Sequence, residues 1–147
     1  VTKELKKALI NQLVKLIDEG ATDFYAGGAI GWDMLCENAV IELRERIPHI
    51  KLHLVMPCPA EEQTADWSEI DKTEYKRLLA AADTVEVCSE RYFDGCMKVR
   101  NRRLVSLSDI CVCYYNGIQR SGTGQTVRMA KKQGANIINI AEVQFLL

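Results

Sequence analysis

Apolar residues recur along the chain at two periods, and the alternation of these periods lays out the elements. Leu5, Leu9, Leu13, Leu16 and Ile17 share one helical stripe over residues of roughly 2 to 19, and Gly20 stops it. Thr22 to Ala26 reads as a short strand. Trp32, Leu35, Cys36, Ala39, Val40, Leu43 and Ile47 follow the i, i+3, i+4, i+7 spacing of a second amphipathic helix, which Pro48 closes. Ile50 to Met56 is the next strand. Pro57-Cys58-Pro59 breaks the pattern, and a polar stretch around Trp67 leads into a helix carrying Tyr75, Leu78, Leu79 and Ala82. Val85 to Cys88 is strand-like, and a loop through Tyr92-Phe93-Asp94-Gly95 precedes a basic helix from about Met97 to Leu107. Asp109 to Tyr114 is the most apolar strand. A last helix opens near Gly124 and is capped by Gly134, and Asn136 to Ile140 forms a final strand.

Helices alternating with strands across short connections predict an α/β domain with a mostly parallel sheet and right-handed crossovers. In such sheets ligands sit beyond the carboxyl ends of the strands. A doubly wound sheet normally begins with a strand that its first helix covers, whereas this chain opens on a helix and without an initiator Met. The expectation is that a first strand is missing from this chain.

Length and composition narrow the class. The 147 residues fit a single domain spanning 1–147, with 48% apolar residues, 27% charged residues and a formal net charge of -1. Bulk attraction to nucleic acid is not indicated. No apolar run approaches the ~20 residues of a membrane span, and no signal-peptide pattern opens the chain. Cys36, Cys58, Cys88, Cys96, Cys111 and Cys113 include no C-x-x-C pair, so no metal is assigned and reduced thiols in the cytoplasm are expected. Cys111 and Cys113, two apart in a strand, point to one face as small buried hydrophobes.

The chemistry centres on two glycine-rich turns, Gly27-Gly28-Ala29-Ile30-Gly31 and Ser121-Gly122-Thr123-Gly124, each following a strand and opening a helix. Such a turn leaves backbone N–H groups uncovered at a helix N-terminus, where the partial positive charge favours a phosphate or carboxylate. Gly-Gly-x-x-Gly matches neither the Rossmann fingerprint nor the Walker pattern. The first turn therefore reads equally as an anion site or as a tight turn allowing helix and strand to approach closely. In the second, the hydroxyls of Ser121, Thr123 and Thr126 either cap the helix or meet a ligand oxygen.

Together with Trp32-Asp33 after the first turn and Met97-Lys98-Val99-Arg100-Asn101 ahead of Ser108-Asp109, these turns resemble the SLOG superfamily. That superfamily embraces the DprA/Smf DNA-processing proteins and the LOG nucleotide phosphoribohydrolases, and the likeness is greatest to its YpsA-like members. It covers nearly the whole chain, including the Met56-Pro57 strand exit and the Trp67 loop. The resemblance implies a Rossmann-like three-layer sandwich that binds nucleotides or nucleotide-derived small molecules, commonly as a homodimer; no cofactor is assigned. YpsA-like sequences usually open with a strand ending in Gly-His-Arg, absent here.

The LOG signature Met-x-x-Arg-Lys places an arginine beside the ribose phosphate, and Met97-x-x-Arg100-Asn101 matches it, which makes Arg100 the candidate anion clamp. The LOG motif Pro-Gly-Gly-x-Gly-Thr-x-x-Glu, however, aligns its glutamate with Arg128. A carboxylate that stabilises an oxocarbenium-like state has become a cation, so binding or sensing is favoured over catalysis. The candidate binding set is Gly27, Gly28, Gly31, Arg100, Ser121, Gly122, Thr123, Gly124 and Thr126. LOG-like N-glycosidic hydrolysis and DprA-like single-strand DNA binding are the alternatives.

Other residues carry plainer readings. Arg103 belongs to a solvated basic face, Trp67 packs in preference to stacking on a base or serving as a lid anchor, and Trp32 joins the apolar stripe. Asp33 caps its helix locally or meets a ribose hydroxyl. His49 and His53 lie too far from the turns to act as a base.

Overall fold

The structure, a computed structural model, describes residues 3–115, 117 and 122–141. Helix α1 (Lys3–Asp18) precedes strand β1 (Asp23–Ala26), and α2 (Trp32–Arg46) leads to β2 (Lys51–Met56). A single turn, α3 (Ala60–Gln63), and the longer α4 (Glu69–Ala81) precede β3 (Thr84–Val87). Helix α5 (Cys96–Ser106), β4 (Ile110–Cys113), α6 (Gly122–Gln133) and β5 (Asn136–Asn139) complete the order.

All the described strand pairs are parallel, as the alternation of elements predicts. They form two sheets instead of one, β1-β2-β3 and β4-β5. Registers run from Asp23 opposite Lys51 to Met56 opposite Val87 in the first, and from Ile110 opposite Asn136 to Cys113 opposite Asn139 in the second. The helices fall into two packed groups, α1 with α2 and α4, and α5 with α6, as an α/β sheet covered on both faces requires.

The apolar stripes point where their periodicity places them. Leu9, Leu13, Leu16 and Ile17 of α1 and Ala39, Val40 and Leu43 of α2 are buried, and Leu52, Leu54 and Met56 of β2 join Tyr75 and Leu78 of α4 beneath them. Ser68 caps α4 by accepting the Asp71 N–H at 3.2 Å. Where β3 begins, the Asp83 carboxylate accepts from the Leu52 N–H at 2.7 Å and from Arg44 at 2.6 Å, tying α2, β2 and the end of α4 together. A hydrogen bond with Cys113 holds the Cys111 thiol below its ordinary value, so the two do share a face.

Candidate functional site

The first glycine turn lies at the carboxyl end of β1, whereas Gly122, Thr123 and Gly124 of the second motif form the first turn of α6 and not a turn ahead of it; α5 connects the two. At the first turn, Gly28 and Gly31 adopt φ of +74° and +95°, and Gly31 is the N-cap of α2 without a side-chain cap. Asp33, in the first turn of α2, reaches back to accept the Ala29 N–H at 3.1 Å. Part of the amide cup is thus occupied by the protein's own carboxyl, which bonds to the loop ahead of α2 and does not cap the helix. Burial pushes the Asp33 carboxyl upward, opposed by the Arg100 charge and by the amides of Ala29 and Gly27.

Close approach explains two of the glycines. A Cβ on Gly28 would lie 2.6 Å from Met56 Cε and 3.3 Å from the Tyr75 ring, so the turn rests directly on the core. On Gly27 it would lie 2.5 Å from Arg100 Nη1 and 3.0 Å from Asp33 Oδ2. Gly27 is therefore the seat of Arg100. Gly31 has open space beside it and owes its identity to its positive φ.

Arg100 is only 5% exposed although it carries a permanent charge. Its Nη1 donates to the Gly27 carbonyl, its Nε donates to Asn101 Oδ1 at 2.9 Å, and its Nη2 contacts Met97 Sδ at 3.7 Å. Asn101 in turn donates through Nδ2 to Gln125 Oε1 of α6 at 3.2 Å. A continuous polar chain thus runs from the first turn through adjacent residues of α5 to α6, whose first turn carries Gly122, Thr123 and Gly124. Gly27, Asp33, Arg100, Thr123 and Thr126 line one cavity of about 820 Å³.

The other candidates separate from this group. Gly28 and Gly124 are buried, Gly122 opens α6, and Ser121 lies outside the described residues. Arg128 is exposed on α6. Arg103 makes a two-pronged exposed ion pair with Glu86, at 2.8 and 3.1 Å, which is the solvated-face reading. Trp67 packs edge-on against Tyr75 with ring centroids 5.3 Å apart. Trp32 lines the cavity and lies against Tyr114 with centroids at 5.9 Å. His53 bonds to Asp23 and Thr84 across the first sheet, away from the turns. Among the described residues no cluster of three or more His, Cys, Asp or Glu could hold a metal, and no helix is long and apolar enough to cross a membrane.

Sequence reasoning missed Asn101 as a connector and Glu37 altogether. Glu37 follows Asp33 by one helical turn, is fully buried, and neither carboxylate oxygen has a hydrogen-bond partner among the described residues. Burial, reinforced by the Asp33 charge and opposed by Arg100, pushes its carboxyl up to about 9. Its place among the inward positions of α2 was the available signal, since a charge on an apolar stripe is the informative exception.

Comparison with known proteins gives a consistent relationship. The YpsA family profile, described as the YspA SLOG family, matches residues 2–145. A UPF0398 protein of Halalkalibacterium halodurans is 30% identical over 131 residues, covering 88% of this chain and 68% of the relative. One from Shouchella clausii is 35% identical over 115 residues, covering 76% of this chain and 60% of the relative. The UPF0398 protein YpsA of Bacillus subtilis is 28% identical over 114 residues, covering 76% of this chain and 62% of the relative. The chain thus spans about three fifths to two thirds of these relatives.

Proposed function

We propose that this chain, which belongs to the YpsA family of SLOG proteins, binds a nucleotide or nucleotide-derived phosphorylated small molecule where its two glycine turns meet. The observation that carries this reading is the buried Arg100, held between the first turn and α6 in a cavity it shares with Thr123 and Thr126. A guanidinium has five N–H groups, and three are directed at Gly27, Asn101 and Met97. Among the described residues, that leaves two donors for an oxyanion.

Asp33 shapes the proposal. Because it fills part of the first amide cup, the ligand anion is assigned to Arg100 and the second turn, with the Gly27 side of the rim as a wall. The SLOG relationship extends the reading to a cytoplasmic homodimer, which light scattering and cell fractionation would test.

Thermal denaturation with AMP and ADP-ribose tests the binding. Ligand at a hundred times its dissociation constant contributes about 2.7 kcal/mol, a rise of roughly 5–10 °C for a domain of this size. Arg100→Ala should abolish the rise, and Arg100→Lys should keep little of it, because an ammonium lacks the planar fork. No response to either nucleotide in the native chain would defeat the proposal. Release of free base from AMP would replace simple binding with hydrolysis.

A further inference from the structure

One face of the first sheet carries a further group of side chains with its own chemistry. Tyr25, His53 and Thr84 lie directly opposite one another across β1, β2 and β3, and Asp23 stands two residues ahead of Tyr25 on the same face of β1. His53 Nε2 is 2.7 Å from Asp23 Oδ1, and its Nδ1 is 2.6 Å from Thr84 Oγ1. The Tyr25 ring stacks on the imidazole with centroids 4.7 Å apart and planes 24° from parallel.

The carboxylate decides the tautomer. The bond from His53, together with the Thr22 hydroxyl donating to Oδ2 at 2.8 Å, holds the Asp23 carboxyl below its ordinary value, so Asp23 only accepts. The neutral imidazole therefore carries its hydrogen on Nε2, and Nδ1 presents a lone pair to which the Thr84 hydroxyl donates. A carboxylate that orients an imidazole, and an imidazole that accepts from a hydroxyl, are the parts of an activated nucleophile. Exposure is graded to suit. The His53 side chain is 14% exposed whereas Thr84 is exposed, so the base is sheltered and the hydroxyl can be reached. Thr64 and Thr73 differ, since their hydroxyls donate to the carbonyls of Ala60 and Glu69.

The charges around the group are balanced. Lys51 lies opposite Asp23, and Glu86, the next residue after Thr84 on that face, is paired with Arg103 of α5, so the nearest carboxylate along β3 is already neutralised. We propose that Thr84 is an acylation site and takes small activated acyl donors of the thioester, acyl phosphate or phenyl ester class. Thr84 Oγ1 attacks the acyl carbon, and the new C–O bond forms as the bond to the leaving group breaks. That group departs with the electron pair as thiolate, phosphate or phenolate, and His53 Nδ1 takes the hydroxyl proton. Leaving groups that depart as stable anions suit an open sheet face, where the base supplies the assistance. Asp23 acts through His53 as a positioning residue. The site stands apart from Arg100 and the glycine turns, and acylation does not depend on nucleotide binding.

The test exposes the 147-residue chain to p-nitrophenyl acetate, quenches in acid and locates acetyl groups by peptide mass spectrometry. General-base assistance contributes about a hundredfold or more, so Thr84 should be acetylated at least about tenfold faster than Thr64 or Thr73. His53→Gln keeps a hydrogen-bonding side chain between Asp23 and Thr84 but supplies no base, and should bring Thr84 down to the rate of the other threonines while circular dichroism shows the fold intact. Asp23→Asn, which no longer holds the imidazole hydrogen on Nε2, should also slow labelling of Thr84. In urea the native sequence should lose the preference altogether, which keeps the test independent of how well any variant folds. Thr84 labelled no faster than Thr64 and Thr73 in the folded native chain overturns the proposal. So does a preference for Thr84 that survives His53→Gln or urea, because the imidazole would then play no part.

Discussion

Arg100 donates to the carbonyl of Gly27, and a Cβ at position 27 would stand 2.5 Å from the same guanidinium nitrogen. The two residues are 73 positions apart, yet each determines what the other can be. Gly27→Ala should destabilise the chain by about 1–3 kcal/mol through overpacking. In the Arg100→Ala background the added methyl has room, so the double mutant should be more stable than the sum of the single losses predicts. Urea denaturation of the four proteins measures this coupling, and strict additivity would show that Gly27 is required for another reason.

Glu37 makes stability depend on pH in an unusual direction. Its carboxyl ionises near 4.5 in the unfolded chain and only at about 9 when buried, so between those values the folded state holds the extra proton. This contribution is complete below about pH 4.5 and is lost as pH rises toward 9, by up to roughly 1 kcal/mol per pH unit. Glu37→Gln should flatten the profile and be relatively more stable at pH 8 than at pH 5. Identical slopes for the two proteins in urea titrations at pH 5, 7 and 8 would contradict the assignment.

Asp83 should behave in the opposite way. The Leu52 amide, then Arg44, holds its carboxyl below the usual range, so its contribution is present above about 3.8 and lost as pH falls through the folded value. Asp83→Asn should cost about 1 kcal/mol at pH 7, a modest figure because the pair is partly solvated. The deficit should shrink in acid, and a constant deficit from pH 7 to pH 3 would rule out an ionic contribution.

The Tyr75 hydroxyl donates to Gln63 Oε1 at 2.7 Å beneath the first glycine turn. Tyr75→Phe leaves that buried acceptor without its donor and should cost about 1–2 kcal/mol while preserving the packing of Trp67 on the ring. A chemical-denaturation midpoint unchanged from the native protein would mean that Gln63 finds another donor.

The elements were legible because their causes are local. The stripes of α1 and α2 predict the buried Leu9, Leu13, Val40 and Leu43, and Gly20 and Gly134 mark two helix ends in the left-handed region. The four-residue α3 is too short to show a helical period. The division of the sheet was not legible, since whether β1 meets β4 depends on pairing between residues more than 80 positions apart. The motif around Arg100 singled out a side chain that the structure buries beside Gly27. Its burial arises from contact with Gly27, and the adjacent Asn101 bond to Gln125 had no local signature. Asp33 shows the limit of motif reading: glycines at a helix start advertise open amides whether or not a nearby carboxyl takes one.

The contact between Trp32 and Tyr114 gives the molecule a built-in optical gauge. The chain has two tryptophans; Trp67 packs on Tyr75, whereas Trp32 lines the cavity and lies against Tyr114. With Trp67→Phe in the background, the emission of a single indole would register changes in spacing between the two half-sheets, making their separation a quantity that can be followed in real time.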